Sequence, residues 1–199
     1  MQSDAIGVRL DMQLRLGSGV LDVHFSIMNE TTRQYGCFCR LPSVSLDGTP
    51  AYLPDTVYVD FQDESARLSK LVLPVPEGLK VTERVLPGIV LIPSHERLIE
   101  RIAVTLPIVA NNPYRQALLI SKAGGRTIAP VVPRTVTEVT LAIGVFETSD
   151  AEKYLPISPA YPRVFRIWPP GGAVMRQIVL TATAPLDSPV PALDYGPAS

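Results

Sequence analysis

The stretch Val8-Arg9-Leu10-Asp11-Met12-Gln13-Leu14-Arg15-Leu16 alternates apolar and polar side chains without interruption. Side chains two apart share one face of a strand, so this spacing predicts a strand with one buried and one wet face, and it fits no helix. Gly17-Ser18-Gly19 follows as a turn, and then Leu21, Val23, Phe25 and Ile27 alternate with Asp22, His24 and Ser26. Two alternating runs joined by a glycine-bearing turn read as an antiparallel hairpin.

The same signal continues outward from that pair. Asn29-Glu30-Thr31-Thr32 is a polar turn, and residues 35–41 carry aromatic and cysteine side chains suited to a third strand. Further strands are expected at 57–61, 66–73, 88–92 and 98–106, at Val139, Leu141, Ile143 and Val145, and at 164–168 and 174–184. Asn111-Asn112-Pro113 can open one short helix over residues 113–121, with Gly124 and Gly125 past its end; the same residues also suit a strand or an irregular crossover. Pro42, Pro54, Pro74, Pro76, Pro87, Pro93, Pro107 and Pro156 bracket these elements, because a proline cannot donate to a central ladder. The expected fold is all-β: a single antiparallel β-sandwich domain over residues 1–186. Residues 187–199 are read as a proline-rich C-terminal tail; Pro189, Pro191 and Pro197 could present a polyproline II ligand, but a merely extended or loosely docked terminus is the preferred reading. Two small β domains meeting near Asn111 are the alternative.

Composition agrees with this class. Of 199 residues 46% are hydrophobic but only 7% aromatic, with 20 Pro and 13 Gly, the profile of short strands punctuated by breakers. The formal net charge is -1 and no Lys/Arg stripe with interleaved aromatics occurs, which argues against nucleic acid as a partner. The apolar runs fall far short of the roughly 20 residues a membrane-spanning helix needs, and no basic region precedes an apolar core at the start, so neither a membrane segment nor a signal peptide is expected. Cys37 and Cys39 share a strand face and are expected as reduced, buried small hydrophobes, which favours a cytoplasmic setting.

Candidate chemistry is sparse. Asp22, His24 and Ser26 lie on one strand face, but neighbours two apart are roughly 6.6–7 Å apart and point the same way, whereas a catalytic triad must converge; a solvated sheet face is expected. His95 is read as part of a turn, since two histidines with no ligand spacing do not make a metal site. Cys37-Phe38-Cys39 is half a soft-metal site and is read as packing. Asp60, Asp63 and Glu64 lack the order of a calcium loop and read as a solvated turn. Gly124-Gly125-Arg126 and Pro169-Pro170-Gly171-Gly172 are turns without the spacing of a phosphate cradle, and Asn29-Glu30-Thr31 matches a glycosylation acceptor. No cofactor or metal is expected.

Tyr161, Arg163, Arg166 and Trp168 bring together the residue types that dominate interaction hot spots, although Trp168 suits core packing at a strand end as well. They are the candidate interaction residues.

The run Val23-x-Phe25-x-Ile27-x-Asn29-x-Thr31, with Pro93-Ser94-x-Glu96-x-Leu98 leading into Ile102 and Val104, resembles immunoglobulin-like sandwich domains of bacterial accessory proteins over roughly the first 106 residues. The chain departs from them in lacking a Cys/Trp pairing between sheets. The resemblance implies no catalytic residue and a role in binding, bracing or inhibiting another protein. The expected function is therefore a non-enzymatic protein-interaction or structural module, with exposed sheet edges also able to pair copies of the chain. A small-ligand or carbohydrate-binding sandwich with Tyr161 and Trp168 as an aromatic platform is the alternative, and an enzyme stands third.

Overall fold

The computed structural model describes residues 7–44, 50–77, 79, 86–114, 131–158, 160–161 and 163–195. In chain order its strands are β1 (Val8–Leu16), β2 (Val20–Asn29), β3 (Tyr35–Val44), β4 (Pro50–Leu53), β5 (Tyr58–Gln62), β6 (Ser65–Lys70), β7 (Gly88–Ile92), β8 (Arg97–Thr105) and β9 (Ile108–Val109). There follow β10 (Val131–Glu147), a 3-10 turn at Thr148–Asp150, β11 (Lys153–Pro156), β12 (Phe165–Trp168), the one-turn helix α1 (Gly171–Met175) and β13 (Ile178–Tyr195). The all-β expectation holds.

The deciding hairpin forms as read, with Leu10 opposite Ile27 and Leu16 opposite Leu21, and β8 adds antiparallel to β2 to complete a three-stranded sheet. Its inward side chains Leu10, Leu21, Val23, Ile27 and Ile102 are essentially buried, and burial fades toward the hairpin tip, where Leu16 is exposed. Those residues share one apolar core with Cys37, Cys39, Leu68, Val139, Leu141 and Leu180 of the second sheet, so the two sheets face each other across it. The core draws on chain segments both before and after Asn111.

The second sheet is ten-stranded and mixed, which departs from the all-antiparallel expectation. β10 is its spine. One edge pairs antiparallel with β13 along nearly its whole length; the other takes β6 in parallel over Glu138–Ile143 and then β3 antiparallel at its last residues. β9 also runs parallel to β13. Parallel neighbours require a crossover rather than a tight turn, and a crossover carries no local sequence signature. On the outer face of β3, Phe38 stacks against Phe146 with ring centroids 5.0 Å apart, and α1 covers them with the fully buried Ala173.

Four expectations are corrected. The proline-rich tail is not one: β13 continues through Pro185, Pro189 and Pro191 to Tyr195, and Val190, Ala192 and Asp194 are buried beneath alternating exposed prolines. The prolines are accommodated because four residues, Leu186 to Pro189, bulge opposite Thr137, and because β13 has a second neighbour only at Ala192 and Leu193. Prolines are likewise not confined to strand boundaries, since Pro42 lies within β3 and Pro133 within β10. The strand expected from Val174 onward begins only at Ile178, because Gly171–Met175 turns as a helix first. Finally, β4, β9 and β11 were not expected. The anticipated helix at 113–121 falls outside the described residues beyond Tyr114, as do Gly124-Gly125-Arg126 and Pro197.

Candidate functional site

β11 and β12 form an antiparallel pair at one end of the large sheet, with Lys153 opposite Trp168 and Leu155 opposite Arg166. Period-2 geometry sends Ile167 into the core, 6% exposed, and turns Arg166 and Trp168 outward. Trp168 is 61% exposed and Leu155 49%, so the possible core role of Trp168 is not the one it has. β11 ends the strand order, which leaves one row of its backbone groups without a ladder partner among the described residues.

The four candidate residues are only partly gathered. Arg166 donates to the Tyr52 hydroxyl at 3.1 Å and its guanidinium lies 5.8 Å from the centre of that ring, while Tyr161 meets Tyr52 edge-on with ring centroids 6.2 Å apart. Tyr52, from β4, is the organising residue, and nothing in its local sequence marks it. Trp168 stands at the far end of β12 beside Lys153, so the aromatic ring that Tyr161 packs against is Tyr52 and not Trp168. Arg163 lines a separate groove of about 420 Å³ with Ile92, Pro93, Glu96, Arg97 and Phe165.

The remaining candidates are placed as follows. Asp22 pairs with Arg101 across the β2–β8 ladder, with the Arg101 Nε 2.8 Å from Oδ1, and His24 is exposed on the same outer face. His95 sits in the turn before β8 with a left-handed φ of 57°. Cys37 and Cys39 are free and buried; desolvation pushes the Cys37 thiol well above its ordinary value. Asp63 occupies the β5–β6 turn, and Glu64 accepts from Thr137 at 3.2 Å. Among the described residues no group of three or more His, Cys, Asp or Glu side chains is placed to hold a metal ion. Nor is any helix among them long and apolar enough to cross a membrane.

Asn29, by contrast, is built into the structure. Its amide nitrogen donates to the carbonyls of Arg33 at 2.7 Å, Pro93 at 2.8 Å and Ile92 at 3.2 Å, and its oxygen accepts from Thr31 Oγ1 at 2.8 Å. A side chain with no exposed surface and a fully engaged amide is no carbohydrate attachment point in the folded chain.

Compared with known proteins, the chain matches no family model, no curated protein and no solved structure.

Proposed function

We propose that the protein is a non-enzymatic interaction module that engages a protein partner through the outer face of the β11–β12 edge. The observation that carries this reading is Trp168, 61% exposed with Leu155 at 49% on the neighbouring edge strand. Large apolar side chains held outward on ordered strands have no packing role in the free chain, and Trp and Arg are the residue types that anchor interfaces. Arg166 is already held by Tyr52, so little side-chain freedom is lost when a partner orders it. The free edge of β11 offers strand addition to a partner or to a second copy of the chain.

At the level of layers, two facing sheets support the resemblance to immunoglobulin-like sandwich domains, while the parallel β6–β10 pair departs from it. Free, buried cysteines support a reducing, cytoplasmic setting.

The test is affinity capture from the native host lysate with the wild type, Trp168→Ala and Leu155→Ser, all shown folded by circular dichroism. A protein retained by the wild type and lost from both variants supports the reading. Captures that are the same for all three overturn it.

A further inference from the structure

A second feature lies on the outer face of the β5–β6 pair. There, a cavity of about 480 Å³ lies between the strap after β9, which carries Asn112 and Tyr114, and the segment leaving β6 at Leu71 to Pro76. That is within the range of roughly 300–1,000 Å³ typical of small-ligand sites. Tyr114 is 6% exposed and lines the cavity, and its hydroxyl has no hydrogen-bond partner among the described residues. A buried hydroxyl left unsatisfied is costly, and a bound acceptor would remove that cost.

Two opposite charges line the same cavity. Asp60 and Arg67 are direct cross-strand partners, so their Cβ atoms lie about 4.5–5.5 Å apart. They make no ion pair with each other among the described residues. Asp60 accepts from the Asn112 amide at 2.9 and 3.0 Å, which holds the carboxylate in place and leaves it further lone pairs. Arg67 is exposed with no partner for its guanidinium among the described residues. Of the further polar side chains on the lining, Ser69 and Gln177, the Gln177 amide is taken up by both backbone groups of Val72. Leu71, Pro74, Pro76 and Val179 supply an aliphatic wall.

From this arrangement we infer that the cavity binds a free α-amino acid with an aliphatic side chain. Arg67 and the Tyr114 hydroxyl take the carboxylate, Asp60 takes the ammonium, and the wall takes the side chain. A simple carboxylate would face Asp60 unshielded, and a neutral sugar would leave both charges without a counter-charge. The site is separate from the proposed β11–β12 interaction surface, and neither depends on the other.

Isothermal titration of the full chain with L-leucine tests this, run beside its amine lacking the carboxylate and its acid lacking the ammonium. Saturable leucine binding is expected, with each single-charge analogue weaker by at least about tenfold. Arg67→Ala should abolish the preference over the amine, and Asp60→Asn the preference over the acid. Tyr114→Phe should weaken binding without lowering the thermal midpoint, since it removes only an unpartnered hydroxyl. The inference is overturned by absence of saturable leucine binding, by either analogue binding as tightly as leucine, or by folded Arg67→Ala or Tyr114→Phe protein titrating like the wild type.

Discussion

Lys70 Nζ donates to the Cys39 carbonyl oxygen at 3.1 Å from a side chain that is 1% exposed, and also to the carbonyl of Pro54. Burial pulls the ammonium down to about 8, against the opposing pull of Cys39. An unfolded lysine titrates near 10.4, so above pH 8 the unfolded chain holds a proton that the folded chain has released, and stability rises with pH. Burial also pushes the Cys37 thiol well up and Tyr58 and Tyr154 up to about 12; these groups act in the opposite sense, Cys37 from about pH 8.5, where an unfolded thiol ionises, and the tyrosines from about pH 10. From pH 8 to 9 Lys70 alone adds about 1 kcal/mol, part of which Cys37 offsets. The urea midpoint of the wild type should therefore rise relative to that of Lys70→Met across this range, since Cys37 acts alike in both. A difference between the two that does not change with pH would show that Lys70 stays charged in the fold.

Asn29 ties the end of β2 to two other turns through the contacts to Arg33, Ile92 and Pro93. Asn29→Ala strands three carbonyls and the Thr31 donors, which should cost roughly 2–4 kcal/mol in urea unfolding. Asn29→Asp should be worse at neutral pH, because a carboxylate would then face those carbonyl oxygens, and part of the loss should return as acid protonates it. A neutral effect of Asn29→Ala would mean that water replaces the amide.

These two residues also show what the sequence carries. Alternation along 8–16 and 21–27 is a local property, and the hairpin could be read from it because both strands and their turn are contiguous. The sequence presents Asn29 as part of a polar turn and of a glycosylation acceptor but not as a tether, because the Ile92 and Pro93 carbonyls it satisfies lie 63 and 64 residues away. The same limit hid the parallel β6–β10 pairing and the role of Tyr52, 114 residues from Arg166. Trp168 and Arg166 stood out by residue type; their outward direction required the register with β11. Only the first part of the last strand was expected, because beyond residue 184 its prolines outweighed the alternation of Val190, Ala192 and Asp194.

Gly36 lies opposite Phe146 in the β3–β10 ladder, and a Cβ there would run into the Phe146 ring. Gly36→Ala must displace an aromatic side chain that is fully buried against Phe38, an overpacking cost of roughly 1–3 kcal/mol. Phe146→Leu removes the obstructing ring atoms. The double variant should therefore be more stable than the sum of the two single losses predicts, by at least about 0.5 kcal/mol in a double-mutant cycle. Strict additivity would place the strain of Gly36→Ala elsewhere, at Ile89.

Truncation after Leu186 tests the correction at the C-terminus. A tail can be removed without cost, whereas the structure places Val190 and Ala192 at 2% and 1% exposure and pairs β9 with Ala192 and Leu193. It also sets Asp194 Oδ2 2.8 Å from Arg134 Nε, with the carboxylate side chain 2% exposed. Losing these residues bares Val136 and Ile108 and strips β10 of its partner from Val131 to Val136. Burial of a single valine is worth about 1.5–3 kcal/mol, so the truncated chain should lose at least about 3 kcal/mol or fail to fold. Asp194→Ala, which keeps the strand and leaves Arg134 without this carboxylate, should cost less, roughly 1–3 kcal/mol. A truncated chain with the wild-type thermal midpoint would return residues 187–195 to the status of a tail, and Asp194→Ala separates loss of the strand from loss of the Asp194 carboxylate.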